Sequence, residues 1–367
     1  MIYLDNAATT FQKPPEVGRA VQWAMQFCTS PGRGGYAAAQ RAEETVYRTR
    51  ALAAERFDCA PEQVCFTACA TEGLNAAIRF LVGRGDRVVI SGLEHNAVTR
   101  TLHAVGANTQ AVTAPLFSEQ AWLDAFSQAL TPQTAAVVCT QVSNVFGAVL
   151  PIDGIARLCA EREIPLIVDA SQSAGILPVT LRKWNAAFVA MPGHKGLLGP
   201  QGTGLLLCGV VPDPLRFGGT GSQSTEQEMP GFLPDRMEAG TLNVPGIAGL
   251  GAGLRYLRKQ DESRILRRER GMIRRMAAGL SGLGAEVYTG PNQVGVLSFR
   301  FPGTDPVEAA ERYASLGVAV RAGLHCAPLA HRTAGTFPEG TVRVSVSPLT
   351  EDTAPARFLR QTAALNF

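Results

Sequence analysis

Short apolar runs closed by turn residues alternate with helical patterns as far as residue 209, and few architectures accommodate that alternation. "RVVIS" (87–91), "TAAVVCTQVS" (134–143), "IPLIVDAS" (164–171), "AAFVAM" (186–191) and "GTGLLLCG" (202–209) read as strands, with "LDAFSQAL" and "DGIARLCAERE" as helices between some of them. Strands that are apolar on both faces and separated by helices predict β-α-β units, hence an α/β fold with a mainly parallel central sheet and helices on both faces. After residue 240 the texture changes to one long Arg-rich helical stretch, "GIAGLGAGLRYLRKQDESRILRRERGMIRRMAAGLSGL", whose arginines form a solvated face rather than a nucleic-acid patch. "VGVLSFRF" (294–301), "GVAVRAG" (317–323) and "TVRVSVS" (341–347) then alternate as half-buried strands do, with "DPVEAAERYASL" as a helix. These elements predict a large unit over residues 15–250 and a smaller α+β unit from 1–14 and 251–367.

With 367 residues the chain is long enough for both units to have a core. Its 34 basic and 31 acidic residues are dispersed, so the net charge of +3 offers no footprint for nucleic acid or an anionic membrane. Small-molecule chemistry is the expectation. The opening "MIYLDNAATTFQKPPEV" lacks the basic and apolar regions of a signal peptide, and no run of 18 uncharged apolar residues occurs, so the expected location is the cytoplasm. The eight cysteines (28, 59, 65, 69, 139, 159, 208 and 326) show no C-x-x-C pair and no zinc-ligand spacing, so no metal is expected. Most read as buried, reduced core residues.

Ligands of a parallel α/β sheet bind at the carboxyl ends of its strands, and four polar groups fall there. Asp169 closes "PLIVD", where a carboxylate among apolar residues needs a cation or a donor. Lys195 stands 26 residues on, in the glycine-rich turn "PGHKGLLGPQGTG" after the next strand. An acid at one strand end and a lysine at the next suit pyridoxal phosphate: the amine forms a Schiff base and the acid keeps the ring nitrogen protonated. "TACATEGLN" (67–75) follows the strand "QVCF" and opens a helix, so its backbone N–H groups and the Thr71 hydroxyl can cradle a phosphate. His95 in "SGLEHNAV" follows "RVVIS" and can stack on a planar ring.

"YLDNAATT", "TEGLN", "EHNA", "VSNVFG", "VDASQS", "GHKGLLGPQGTG", "LPDRMEAGTLNVPGIAGL" and "VRAGLHCAPL" stand in the order found in the cysteine desulfurases. From residue 3 to about 350 the chain resembles that family, within the class V aminotransferase group. The resemblance implies a fold-type-I pyridoxal phosphate enzyme working as a homodimer with active sites at the subunit interface. It matches Lys195 to the Schiff-base lysine, His194 to a residue associated with the phosphate, Asp169 to the partner of the ring nitrogen, and Gln172 to the residue contacting the ring oxygen. His95 matches the stacking histidine, Ala70 and Thr71 phosphate contacts, and Thr241 a phosphate contact donated by the other subunit. Asn144 matches a residue near the substrate carboxylate, Arg343 the arginine that clamps it through its planar fork, and Arg33 a residue lining the entrance.

The resemblance also gives Cys326 a role, as the loop cysteine that attacks the substrate's sulfur, leaving alanine and an enzyme persulfide. It follows Arg321, Gly323 and His325, and a nearby cation favours the attacking thiolate. The pattern R-x-G-x-H-C resembles the branch with the short cysteine loop. Two positions depart from the family: Pro192 replaces the usual Ser or Thr before Gly-His-Lys, removing a hydroxyl and an N–H, and Cys69 stands where glycine is common. The expected activity is conversion of L-cysteine to L-alanine, with persulfide sulfur passed to an acceptor protein, as in iron–sulfur cluster assembly. The alternatives are a lyase for L-selenocysteine, a class V aminotransferase or β-lyase acting on another amino acid, and a sulfur-carrier partner without turnover.

Overall fold

The computed structural model describes residues 1–32 and 34–367. In chain order the strands are β1 (Ile2–Tyr3), β2 (Val64–Thr67), β3 (Arg87–Ser91), β4 (Asn108–Val112), β5 (Thr134–Thr140), β6 (Leu166–Asp169), β7 (Phe188–Pro192), β8 (Gly204–Cys208), β9 (Glu286–Tyr288), β10 (Val296–Arg300), β11 (Val318–Ala319), β12 (Arg321–Gly323) and β13 (Thr341–Ser345). The helices are α1 (Pro15–Phe27), α2 (Ala37–Arg56), α3 (Ala70–Leu81), α4 (Asn96–Val105), α5 (Glu119–Ala129), α6 (Ile152–Ala160), α7 (Leu181–Trp184), α8 (Val244–Arg258), α9 (Glu262–Gly282), α10 (Pro306–Ser315), α11 (Pro328–Ala334) and α12 (Ala354–Leu365).

Seven strands form the large sheet in the order β2-β8-β7-β6-β5-β3-β4. Pairing is parallel from β4 through β3, β5 and β6 to β7, as the apolar runs predict; β8 runs antiparallel to both β7 and β2. The chain leaves β3 for β4 on one side and resumes at β5 on the other, which opens a crevice at the carboxyl ends of β3 and β5. β6 and β7 are buried along their whole length, because helices cover both faces of the sheet. On one face α3 packs closely enough that a Cβ at Gly73 would lie 3.3 Å from the Ala190 Cβ.

The Arg-rich stretch is two helices rather than one. Asp261 separates α8 from α9, its carboxylate accepting the Ser263 and Arg264 N–H groups at the start of the second. Helix α8 crosses position 250 unbroken and sends Leu250, Leu254 and Leu257 into the core of the large sheet. Arg264, Arg267, Arg274 and Arg275 of α9 face solvent, while Met272, Ile273, Met276 and Leu280 cover the antiparallel sheet β12-β13-β10-β9. The run "GVAVRAG" splits in two: β11 pairs with β1 in parallel, and β12 joins β13.

Candidate active site

The sheet register brings the carboxyl ends of β5, β6 and β7 side by side, with Asp169 opposite Thr140 on one neighbour and Ala190 on the other. Asp169 is 3% exposed and accepts the Ser171 N–H at 2.9 Å. Lys195 lies three residues beyond the end of β7, in a turn closed by Gly193 N–H to the Thr203 carbonyl (2.8 Å) and Leu198 N–H to the Lys195 carbonyl (2.9 Å). The glycines of this turn answer to crowding. A Cβ at Gly196 would lie 2.3 Å from the Ala174 carbonyl oxygen, and one at Gly193 would lie 2.1 Å from Thr203 Oγ1. Burial pushes the Lys195 amine down to about 8; Asp169 opposes that shift, and Arg343 and Arg321 add to it. An amine poised there can both react as a nucleophile and exchange protons near neutrality.

His95 is the N-cap of α4, and its Nδ1 accepts the Ala97 N–H at 3.0 Å, which leaves Nε2 free to carry the ring proton. Burial pulls its pKa down, against the pull of Asp169. A cleft opens between these groups, lined by His95, Asn144, Asp169, Gln172, His194 and Lys195, and also by Cys69, Ala70, Thr71 and Pro192. Cys69 is the N-cap of α3 in an extended conformation, and its side chain makes no capping bond. The first-turn N–H groups of that helix have no intrahelical partner, so where Cys69, Ala70 and Thr71 line the cleft they can receive an anion. A buried acid, a lysine of lowered pKa, an imidazole and an uncapped helix end fit pyridoxal phosphate. Pro192, also in the lining, offers neither N–H nor hydroxyl.

His194 also lines the cleft, and its ring Nδ1 lies 3.0 Å from Thr9 Oγ1. Burial, with help from Lys195 and Lys13, holds it down to about 4, so it meets any phosphate as a neutral ring. The Gln172 amide donates to the Ala7 carbonyl at 3.1 Å.

Cys326 is exposed, in the turn between β12 and α11. It and His325 both adopt left-handed backbone, with φ of 57° and 50°, a costly conformation for two consecutive residues that are not glycine. Two hydrogen bonds hold the turn: the Asn144 amide donates to the His325 carbonyl (2.7 Å), and the N–H of Asn96 donates to the Cys326 carbonyl (2.7 Å). The cysteine is therefore tied to the residue that follows His95. The His325 ring is buried and held well below its ordinary pKa by burial, with Arg343 adding to the shift, so this ring is not a cation beside the thiol. The Arg343 guanidinium lies in the neighbourhood of this cysteine.

Arg343 is 2% exposed; Nη1 donates to the Asn144 carbonyl at 2.9 Å and Nη2 to Asp5 Oδ1 at 2.7 Å. Thr241 is exposed and does not line this cleft, and Arg33 lies outside the described residues. Several contributors carried no signal beyond sitting in a recognisable motif. Asp5 belongs to "YLDNAATT", and the same segment stitches the lysine turn in place: Thr10 Oγ1 donates to the Lys195 carbonyl (2.9 Å), and Lys13 donates to that of His194 (2.7 Å). Glu94, beside His95, is fully buried and accepts the Ser91 hydroxyl and the Thr140 N–H, joining the ends of β3 and β5.

The model of the aminotransferase class-V family matches residues 2–353, and the chain belongs to that family. A probable cysteine desulfurase of Methanothermobacter thermautotrophicus is 32% identical, over 94% of this chain and 90% of its own length. The solved apo structure of the cysteine desulfurase of Thermococcus onnurineus NA1 superposes with a TM-score of 0.91 at 28% identity, covering 99% of this chain and 94% of that one. A C-DES variant solved with glycine covalently linked to its PLP cofactor shares the fold, at a TM-score of 0.84 and 21% identity, over 100% of this chain and 96% of that one.

Proposed function

We propose that this protein is a pyridoxal phosphate-dependent cysteine desulfurase that converts L-cysteine to L-alanine and leaves the sulfur as a persulfide on Cys326. The observation that carries this reading is an exposed cysteine in a turn whose carbonyls accept from Asn96 and from Asn144, a residue that lines the cleft holding Lys195 and Asp169. When bound, the cofactor supplies an electron sink for the substrate's α-carbon.

The chain's own residues do the rest. Lys195 would hold the cofactor and, as a free amine, would take the substrate's α-proton; its lowered pKa keeps much of the amine neutral for that task. Asp169 would keep the ring nitrogen charged, and His95 would cover the ring. Ala70 and Thr71 would seat the phosphate with His194, Gln172 would contact the ring oxygen, and Arg343 with Asn144 would receive the substrate carboxylate. Cys326 Sγ then attacks the substrate sulfur: a sulfur–sulfur bond forms, the carbon–sulfur bond breaks, and its electron pair stays with the carbon, which is protonated to give alanine.

The protein acts as a homodimer in this proposal, with Thr241 serving the partner's phosphate seat. Exposure of Thr241 outside its own cleft supports that reading, as do the exposed Trp23, Met25 and Phe27 of α1. The residues of 15–250 form the cofactor-binding unit, extended through α8 as far as the turn at Asp261, and the remainder with residues 1–14 carries the cysteine loop. A cytoplasmic setting is supported by eight cysteines that are all free. The persulfide is handed to an acceptor protein, for iron–sulfur cluster assembly. Incubation with L-cysteine should release alanine and, with a thiol reductant, an equal amount of sulfide. Alanine from L-selenocysteine alone would instead support the lyase.

A further inference from the structure

The carboxylate seat on Arg343 is half filled by the protein itself. Nε and Nη2 form one edge of a guanidinium, the edge that takes both oxygens of a carboxylate. Asp5 Oδ1 occupies Nη2 at 2.7 Å, whereas Nε is buried with no acceptor among the described residues. A buried N–H left without a partner is costly, and Asp5 satisfies only one of the two prongs. The two partners also differ in freedom. The arginine side chain is 2% exposed and fixed from behind by the Asn144 carbonyl, while that of Asp5 is 20% exposed and has a path to solvent.

The surrounding charge leaves room for a further anion. Arg321 on β12 stands directly opposite Arg343 on β13, a placement of like charges that weakens a sheet unless something offsets it. Arg321 is exposed and makes no ion pair among the described residues, so the trio of Arg321, Arg343 and Asp5 carries one net positive charge. The segment bearing Asp5 is held by backbone bonds that do not involve its side chain: Leu4 N–H to the Ala319 carbonyl (2.9 Å) and Ser345 N–H to the Leu4 carbonyl (2.7 Å). The carboxylate can therefore leave while the segment stays.

We propose that Asp5 is an internal placeholder, which holds one prong of Arg343 in the resting site and gives it up to the carboxylate of an incoming amino acid that binds both prongs. This rests on Arg343 as the substrate's carboxylate clamp. Asp5 is a positioning residue: it keeps the guanidinium aimed and neutralised, and it sets a threshold that a ligand without a carboxylate does not pass.

The test is calorimetric titration of the holoenzyme with propionate, and with propionamide as the uncharged control, so it needs neither turnover nor reaction at the cofactor. Asp5→Asn removes the competing charge and should tighten propionate binding tenfold or more while leaving propionamide unchanged. Loss of a merely structural contact would weaken both. Propionate binding that is unchanged or weaker in Asp5→Asn overturns the proposal, even if the protein turns over L-cysteine; tighter binding supports it even if L-cysteine is not a substrate. Asp5→Ser repeats the test should the first variant not fold. If neither variant keeps the circular dichroism of the wild type, Asp5 is a folding residue and the placeholder role is wrong.

Discussion

The floor of the cleft and its rim are built by different means. Asp169 and the lysine turn follow adjacent parallel strands, so hydrogen-bond register within one buried sheet sets their spacing. At what we call the rim, Cys326, Arg343 and Asp5 come from a strained turn, an antiparallel strand and the N-terminal segment; Arg343 bonds Asp5 directly and reaches the cysteine turn only through Asn144. A floor so rigid suits a cofactor that must not move, whereas a rim of exchangeable contacts suits a substrate that enters and a sulfur that leaves.

Substitutions should separate the two regions, and the largest effect is expected on the floor. Lys195→Ala should abolish both the yellow colour of the purified protein and alanine release; a variant still coloured and active would end the reading of that turn as the cofactor's anchor. Asp169→Ala should retain some cofactor but lose most turnover, because the ring nitrogen loses its buried partner.

The rim variant Cys326→Ala should behave in the opposite manner. It should keep the cofactor spectrum and its response to L-cysteine, yet show no protein persulfide by mass spectrometry and little alanine. Alanine production at the wild-type rate would move the chemistry away from the rim altogether.

Smaller effects sharpen the contrast. Pro192→Ser restores a donor at the phosphate end, and one hydrogen bond to a charged group is worth about 1.5–3 kcal/mol, or roughly ten- to a hundredfold in affinity. Cofactor binding should tighten by that order; equal or weaker binding would mean that another group already fills the gap.

The smallest effect concerns stability rather than activity. Glu269 on α9 is fully buried, neither carboxylate oxygen has a partner, and desolvation pushes its pKa up to about 8. A carboxyl whose folded pKa is raised binds more protons folded than unfolded, so between its unfolded pKa near 4.5 and about 8 its contribution to stability falls as pH rises. Glu269→Gln has the same shape and no charge. It should flatten that fall and raise the melting temperature at pH 8 by a few degrees; an unchanged slope would mean that the carboxyl already finds a partner.

Much of the floor was legible in sequence because its information is local and periodic. Apolar runs of strand length announce a buried parallel sheet, and a polar residue at the end of such a run stands at the ligand side by the geometry of the fold. Asp169, Lys195 and His95 could each be placed by that argument. The break between α8 and α9 was not, since the helical pattern continues past it and only the side-chain cap at Asp261 shows that the chain turns.

By itself, then, the sequence determined a mainly parallel sheet, polar residues at the ends of its strands, and an acid at one strand end with a lysine beyond the next, but not the strand order, β4 or the antiparallel run of β8. Tertiary structure decided the rim. It joined Asp5 to Arg343 across 338 positions, spent the Asn144 amide on the cysteine turn, and turned the His194 ring toward Thr9. The physical reason is one of range. Burial leaves a periodic mark on neighbouring residues, whereas a hydrogen bond between distant segments depends on where two separately folded elements meet, and no spacing along the chain records that.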